Sequence, residues 1–176
     1  MTEAQSPQPA PASSQPEPWL RGTHQEVAAV QRAVLHALEL AEEDLRRWCE
    51  GLTGEQINAR PAGLAPLAFH VRHIARSIDR LLTYAEGNQL AAEQISAMKA
   101  EMDTAASGQE LFSELRSTLS HAAARIRAFD PSSMGVARTV GKKQLPTTVG
   151  GLLVHVADHT QRHVGQAVTT VKVVKG

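Results

Sequence analysis

The sequence predicts an all-α fold: a four-helix bundle with one short additional helix and a disordered N-terminal tail. Three observations predict it. Apolar residues recur at spacings of three and four along four long stretches, the pattern of helices that bury one face. No stretch shows the sustained two-residue alternation of a half-buried strand. Glycine, proline and capping residues fall between the long stretches, where helices stop and start.

The tail comes first. Residues Met1 to Pro18 hold five of the nine prolines, interleaved with Gln, Ser and Ala. Such a composition buries too little apolar surface to offset its ordering entropy, so 1–18 is expected to be disordered and 19–176 to form one domain. From about His24 to Glu50, Val27, Val34, Ala41 and Trp48 repeat every seven residues, with Val30, Leu38, Leu45 and Leu52 interleaved. Gly51 ends this first helix. Thr53 with Gln56 reads as a short capping box that opens a single turn. A second long helix is expected from Leu64 or Pro66 to Glu86, stopped by Gly87-Asn88, and a shorter one over roughly 91–102. A third runs over about 109–129, with Leu111, Leu115, Leu119, Ala122 and Ile126 on one face, and Asp130-Pro131 closes it. Residues 132–146 read as a loop. Thr147 or Thr148 caps a fourth helix that runs towards Val171.

The bulk numbers exclude several classes. Lys plus Arg and Asp plus Glu are 18 each, so the formal net charge of the 176-residue chain is zero. No basic stripe stands out, which argues against nucleic acid or an anionic membrane surface as partner. Nothing reaches the length of a membrane span, and the N-terminus lacks the basic start and apolar run of a signal peptide. The single cysteine, Cys49, cannot pair within the chain, and a reducing, cytoplasmic setting is expected. Beside Trp48 it is expected to pack rather than react.

The eight histidines carry the functional signal. His155, His159 and His163 are each four residues apart, and four residues return to almost the same helix face. A pair so spaced can point two imidazoles at one ion, and zinc, nickel, iron and copper favour imidazole nitrogen. The apolar residues Val149, Leu152, Val156 and Ala167 set the buried side, which favours His159 and His163; His155 falls at the boundary beside Asp158 and Arg162. A third ligand must come from another helix, where His70 and His73 both qualify. His70 lies nearer the apolar centre formed by Leu67, Ile74, Ile78 and Ala85. His73 heads a polar strip with Ser77, Arg80 and Tyr84 that could line a pocket. Periodicity leaves the two undecided. His24, His36 and His121 lie off the main seams, and a surface position is expected for each. No protease HExxH motif, nucleophile elbow or phosphate-binding glycine loop is present.

Two stretches, Ala68–Leu82 (AFHVRHIARSIDRLL) and Thr147–Gln166 (TTVGGLLVHVADHTQRHVGQ), resemble the second- and last-helix motifs of the DinB/YfiT-like superfamily. The resemblance covers about 23–171. It implies a four-helix bundle of DinB/YfiT type with a metal site of three histidines, one from the second helix and two from an HxxxH on the fourth. By motif position these are His73, His159 and His163. His70 stands where the family usually has an apolar residue, as an outer-shell group or alternative ligand, and His155 and Gln166 are further pocket candidates. Characterised members are similar to thiol-dependent transferases using bacillithiol, mycothiol or glutathione. The resemblance thus implies a divalent transition metal (zinc, nickel or iron), a low-molecular-weight thiol, a small-molecule substrate and a homodimer. Three protein ligands would leave one coordination position open for water or thiol. A metal-dependent hydrolase and a non-catalytic metal-binding or dimerisation bundle are the alternative readings. Arg80 or Arg76 could recognise a substrate carboxylate with two hydrogen bonds, against a default of a solvated helix face.

Overall fold

A computed structural model describes residues 15–49, 51–103 and 107–176. Six α-helices follow one another: α1 (Ala29–Cys49), α2 (Gly54–Asn58), α3 (Leu67–Ala85), α4 (Ala92–Lys99), α5 (Gly108–Ala128) and α6 (Val149–Lys175). The four long ones, α1, α3, α5 and α6, form the bundle. Helix α6 packs against both α1 and α3, and α5 closes the other side against the same two helices.

The apolar seams become the core. Val34, Leu38, Ala41 and Leu45 of α1 are buried, as are Leu67, Ile74, Ile78 and Ala85 of α3. All five face residues of α5, Leu111 to Ile126, are buried, and so are Val149, Leu152, Val156 and Ala167 of α6. Ends are set by local chemistry. Thr53 and Gln56 form the reciprocal capping box that opens α2, and Ser107 with Glu110 forms another for α5. Thr148 caps α6, its Oγ1 accepting from Gly151 N at 3.0 Å. The two glycines that follow fit close neighbours: a Cβ at Gly150 would lie 3.1 Å from the Met134 carbonyl, a tight contact, and one at Gly151 2.8 Å from Thr147 Oγ1, which would have to shift.

Residues 132–146 are not simply a loop. After a 3-10 turn (Pro131–Gly135), β1 (Ala137–Val140) and β2 (Leu145–Thr148) pair antiparallel, with Ala137 opposite Thr148 and Val140 opposite Leu145. Gly141 and Gln144, both at positive φ, bound the connecting turn. The strands are half-buried or exposed throughout, so they leave no alternation to read. The expected tail falls mostly on residues outside those described; its last residue, Pro18, is buried and opens a 3-10 turn, Pro18–Leu20. Among the described residues, no helix is long and apolar enough to cross a membrane.

Candidate metal centre

The interface of α3 and α6 is polar at one place. His73 of α3 meets His159 and His163 of α6, and each offers a ring nitrogen lying within 4.8 Å of the other two. The ring centroids are 4.4 Å apart for His73 and His163, 4.6 Å for His159 and His163, and 5.0 Å for His73 and His159. Zinc–imidazole bonds of about 2.0–2.1 Å place tetrahedral ligand nitrogens roughly 3.4 Å apart. Modest side-chain rotation therefore suffices to bring all three to one ion. All three side chains are half-buried, which keeps the centre reachable from solvent.

Protonation fits the same purpose. Burial, reinforced by the neighbouring His73, pushes the imidazoles of His159 and His163 down to about 4. Both are then neutral at physiological pH and carry a free lone pair. His73 Nδ1 lies 2.7 Å from Glu101 Oε2. A carboxylate only accepts, so Nδ1 carries a proton, and Nε2 is the ring nitrogen that faces the centre. His73 Nε2 is 2.9 Å from His159 Nε2, while His159 Nδ1 is buried with no hydrogen-bond partner among the described residues. Three imidazoles converging without an acidic ligand among them fit a borderline transition metal, and fit calcium or magnesium poorly.

A second histidine group, His24, His36 and Glu39, also has ligand atoms within 4.8 Å of one another. Its hydrogen bonds run the other way. Arg127 Nη2 donates to His24 Nδ1 at 3.0 Å, so His24 Nε2 carries the ring proton and donates to Glu39 Oε1 at 2.6 Å. The lone pair a metal would need is already used. This network holds His24 at φ +57°, a conformation unusual outside glycine. His36, expected at the surface, is buried: the chain before α1 folds over it and Thr23 Oγ1 bonds its Nε2 at 3.0 Å. His121 is exposed, as expected.

The remaining candidates scatter. His70 is 4 % exposed and sits beside the centre, with its Nδ1 3.2 Å from that of His163. Ser77 Oγ lies 3.3 Å from His73 Nε2. Arg80 is neither a solvated helix-face residue nor free for a substrate: its guanidinium bonds Glu101 Oε1 at 2.6 Å and Ser77 Oγ at 3.1 Å. Arg76 is held by Glu114 and the Ala97 carbonyl. Tyr84 packs in a small apolar cluster with Ala85 and Leu152, three helical turns from His73. His155 is exposed and pairs with Asp158 at 3.0 Å. Gln166 lines a separate groove of about 660 Å³ with Phe69, His70 and Arg162. Phe69 also stacks on the His73 ring at 5.2 Å.

The DinB superfamily sequence model matches residues 37–167, most of the bundle and every histidine of the α3–α6 cluster. The chain belongs to the DinB superfamily. No curated protein and no solved structure matches it. Within this DinB chain, sequence reasoning missed Glu101, the buried carboxylate that touches His73. Its signal was faint: one acidic residue between Ala100 and Met102, in a short segment whose approach to α3 is a tertiary event.

Proposed function

We propose that this DinB protein is a metal-dependent enzyme of the thiol S-transferase type, with one divalent transition metal held by His73, His159 and His163. The observation that carries the reading is the convergence of three imidazoles from two helices, with one ring nitrogen of each within 4.8 Å of the others. Three protein ligands are the mark of catalytic rather than structural zinc sites, which close with four. When bound, the metal lowers the pKa of a coordinated thiol or water, which supplies a nucleophile at neutral pH.

The chain's own residues do the rest. His159 and His163, one turn apart on α6, fix two ligand directions, and α3 supplies the third. Phe69 covers one face of the His73 ring and limits water there. Ser77 Oγ and Arg80, bonded to each other and to Glu101, border the cluster and hold His73 in place. The groove beside His70 offers a guanidinium, an amide and two hydroxyls (Arg162, Gln166, Thr169 and Thr170), groups suited to the carboxylate and amides of a peptide-like thiol.

The test has two stages. Protein purified without a histidine tag should hold about one equivalent of metal, lost on His159→Ala. Thiol consumption should then be followed with a panel of low-molecular-weight thiols and electrophiles before and after chelation. Less than a tenth of an equivalent in both proteins, or activity that survives complete metal removal, refutes the proposal.

A further inference from the structure

The ring nitrogen of His73 that faces away from the centre is met by Glu101, and the bonds around that carboxylate form a closed circuit. Glu101 Oε2 accepts from His73 Nδ1 at 2.7 Å and Oε1 accepts from Arg80 Nη1 at 2.6 Å. Arg80 Nη2 donates to Ser77 Oγ at 3.1 Å, and that hydroxyl lies 3.3 Å from His73 Nε2. Glu101 is only 5 % exposed, an uncommon place for a carboxylate. Both carboxylate oxygens are met by donors, one from His73 and one from Arg80, which offsets the cost of burying the group. Glu101 belongs to the segment after α4, and α4 itself buries no residue. Polar ties hold this stretch to α3: Gln94 to Asp79 and Thr83, Arg76 to the Ala97 carbonyl, and Arg72 to the Asp103 carbonyl.

We infer that Glu101 is the positioning residue of the metal centre: it fixes His73 as the Nδ1–H tautomer, aims Nε2 at the ion, and couples the segment after α4 to metal binding. An imidazole free in water prefers the other tautomer, with the proton on Nε2, where it blocks coordination. A carboxylate against Nδ1 reverses that preference and raises ligand basicity, as acceptors behind metal-bound histidines do. Coordination makes the Nδ1–H more acidic and strengthens its bond to Glu101. By reciprocity, the metal must stabilise the placement of Glu101 by as much as Glu101 strengthens the metal. The inference rests on the three-histidine centre proposed above but not on any thiol chemistry.

Two measurements test it, neither relying on activity. In metal-free wild-type protein, the ¹⁵N shifts of the His73 ring should report the Nδ1–H tautomer; an Nε2–H ring overturns the inference, and no variant is needed to see it. Zinc affinity, by competition with a chromophoric chelator, should fall about tenfold or more in Glu101→Gln, within the range seen for outer-shell partners. It should recover in Glu101→Asp, which restores the charge. Gln94→Ala loosens α4 but leaves the bonds of Glu101 to His73 and Arg80 in place, so it should cost clearly less affinity than Glu101→Gln. An affinity unchanged in Glu101→Gln, or lost equally in Gln94→Ala, overturns the inference. If His73 has the Nδ1–H tautomer but wild type binds no zinc, the three-histidine metal centre is at fault rather than the orienting bond.

Discussion

His70 and His73, one turn apart on α3, both touch α6, but they meet its histidines differently. His73 joins the convergent group; His70 reaches His163 Nδ1 to Nδ1, so it contacts the ligand set from outside. His73→Leu should therefore abolish stoichiometric zinc binding, whereas His70→Leu should still bind one equivalent. Equilibrium dialysis decides, and loss of the equivalent in His70→Leu alone would reassign the α3 ligand. Cys49 shows burial acting in the opposite direction, on a group with no ligand to serve. It is 1 % exposed, and burial pushes its thiol up to about 12. At neutral pH only about one thiol in 10⁵ is then ionised, and the thiolate is the nucleophile. Native protein should leave a disulfide reagent unconsumed over minutes, while protein in concentrated urea should react at one thiol per chain. Prompt reaction of the folded protein would place Cys49 at the surface.

Helices α1 and α5 face each other less closely than the other neighbours of the bundle, and a buried amide ties them. Gln31 Nε2 donates to the Ile126 and Phe129 carbonyls at 2.9 and 2.8 Å at the C-terminal end of α5, where Ile126 also accepts from Phe129 N. Gln31→Leu removes both bonds and leaves the Phe129 carbonyl without this donor, so a loss of about 1–3 kcal/mol is expected from urea unfolding. A change under about 0.5 kcal/mol would show that water replaces the amide. This tie was not legible in the sequence, although the helices it joins were. The α5 face of Leu111, Leu115, Leu119, Ala122 and Ile126 could be read off at spacings of three and four because each of those side chains meets the core. The hairpin could not, because Ala137–Val140 and Leu145–Thr148 have no dry face to impose alternation. At the centre, the i, i+4 spacing offered His155, His159 and His163, and the apolar face of the same helix favoured His159 and His163, because one helix carries all of that pattern. The choice between His70 and His73, the burial of His36 and the contact of Glu101 all depend on how separate segments meet, which local spacing does not encode.

Across the whole molecule, the buried histidines tie stability to pH. His70, His159 and His163 each fall to about 4, chiefly through burial and then through the proximity of His73. An unfolded chain returns each imidazole to about 6.5. Between those values the unfolded state binds more protons than the folded state, so stability must fall as pH falls. The full contribution is present above about pH 6.5, declines through pH 5, and levels off for these groups below about pH 4, where both states are charged. The acidic groups held low by their partners, Glu101 among them, add their own losses at lower pH, below the ordinary carboxylate range. Urea unfolding of chelator-treated protein at a series of pH values should show a slope approaching three protons per molecule near pH 5. His163→Gln should reduce that slope by about one proton while leaving the neutral-pH arm flat. Saturating zinc should raise the upper part of the curve without changing its slope, because the folded state gains binding energy that the unfolded chain lacks while the proton difference between the two states stays the same. Stability that stays constant from pH 7 to 5 in the chelated protein would mean that these imidazoles are charged or solvated when folded, and with that the neutral donor set at the junction of α3 and α6 would be lost.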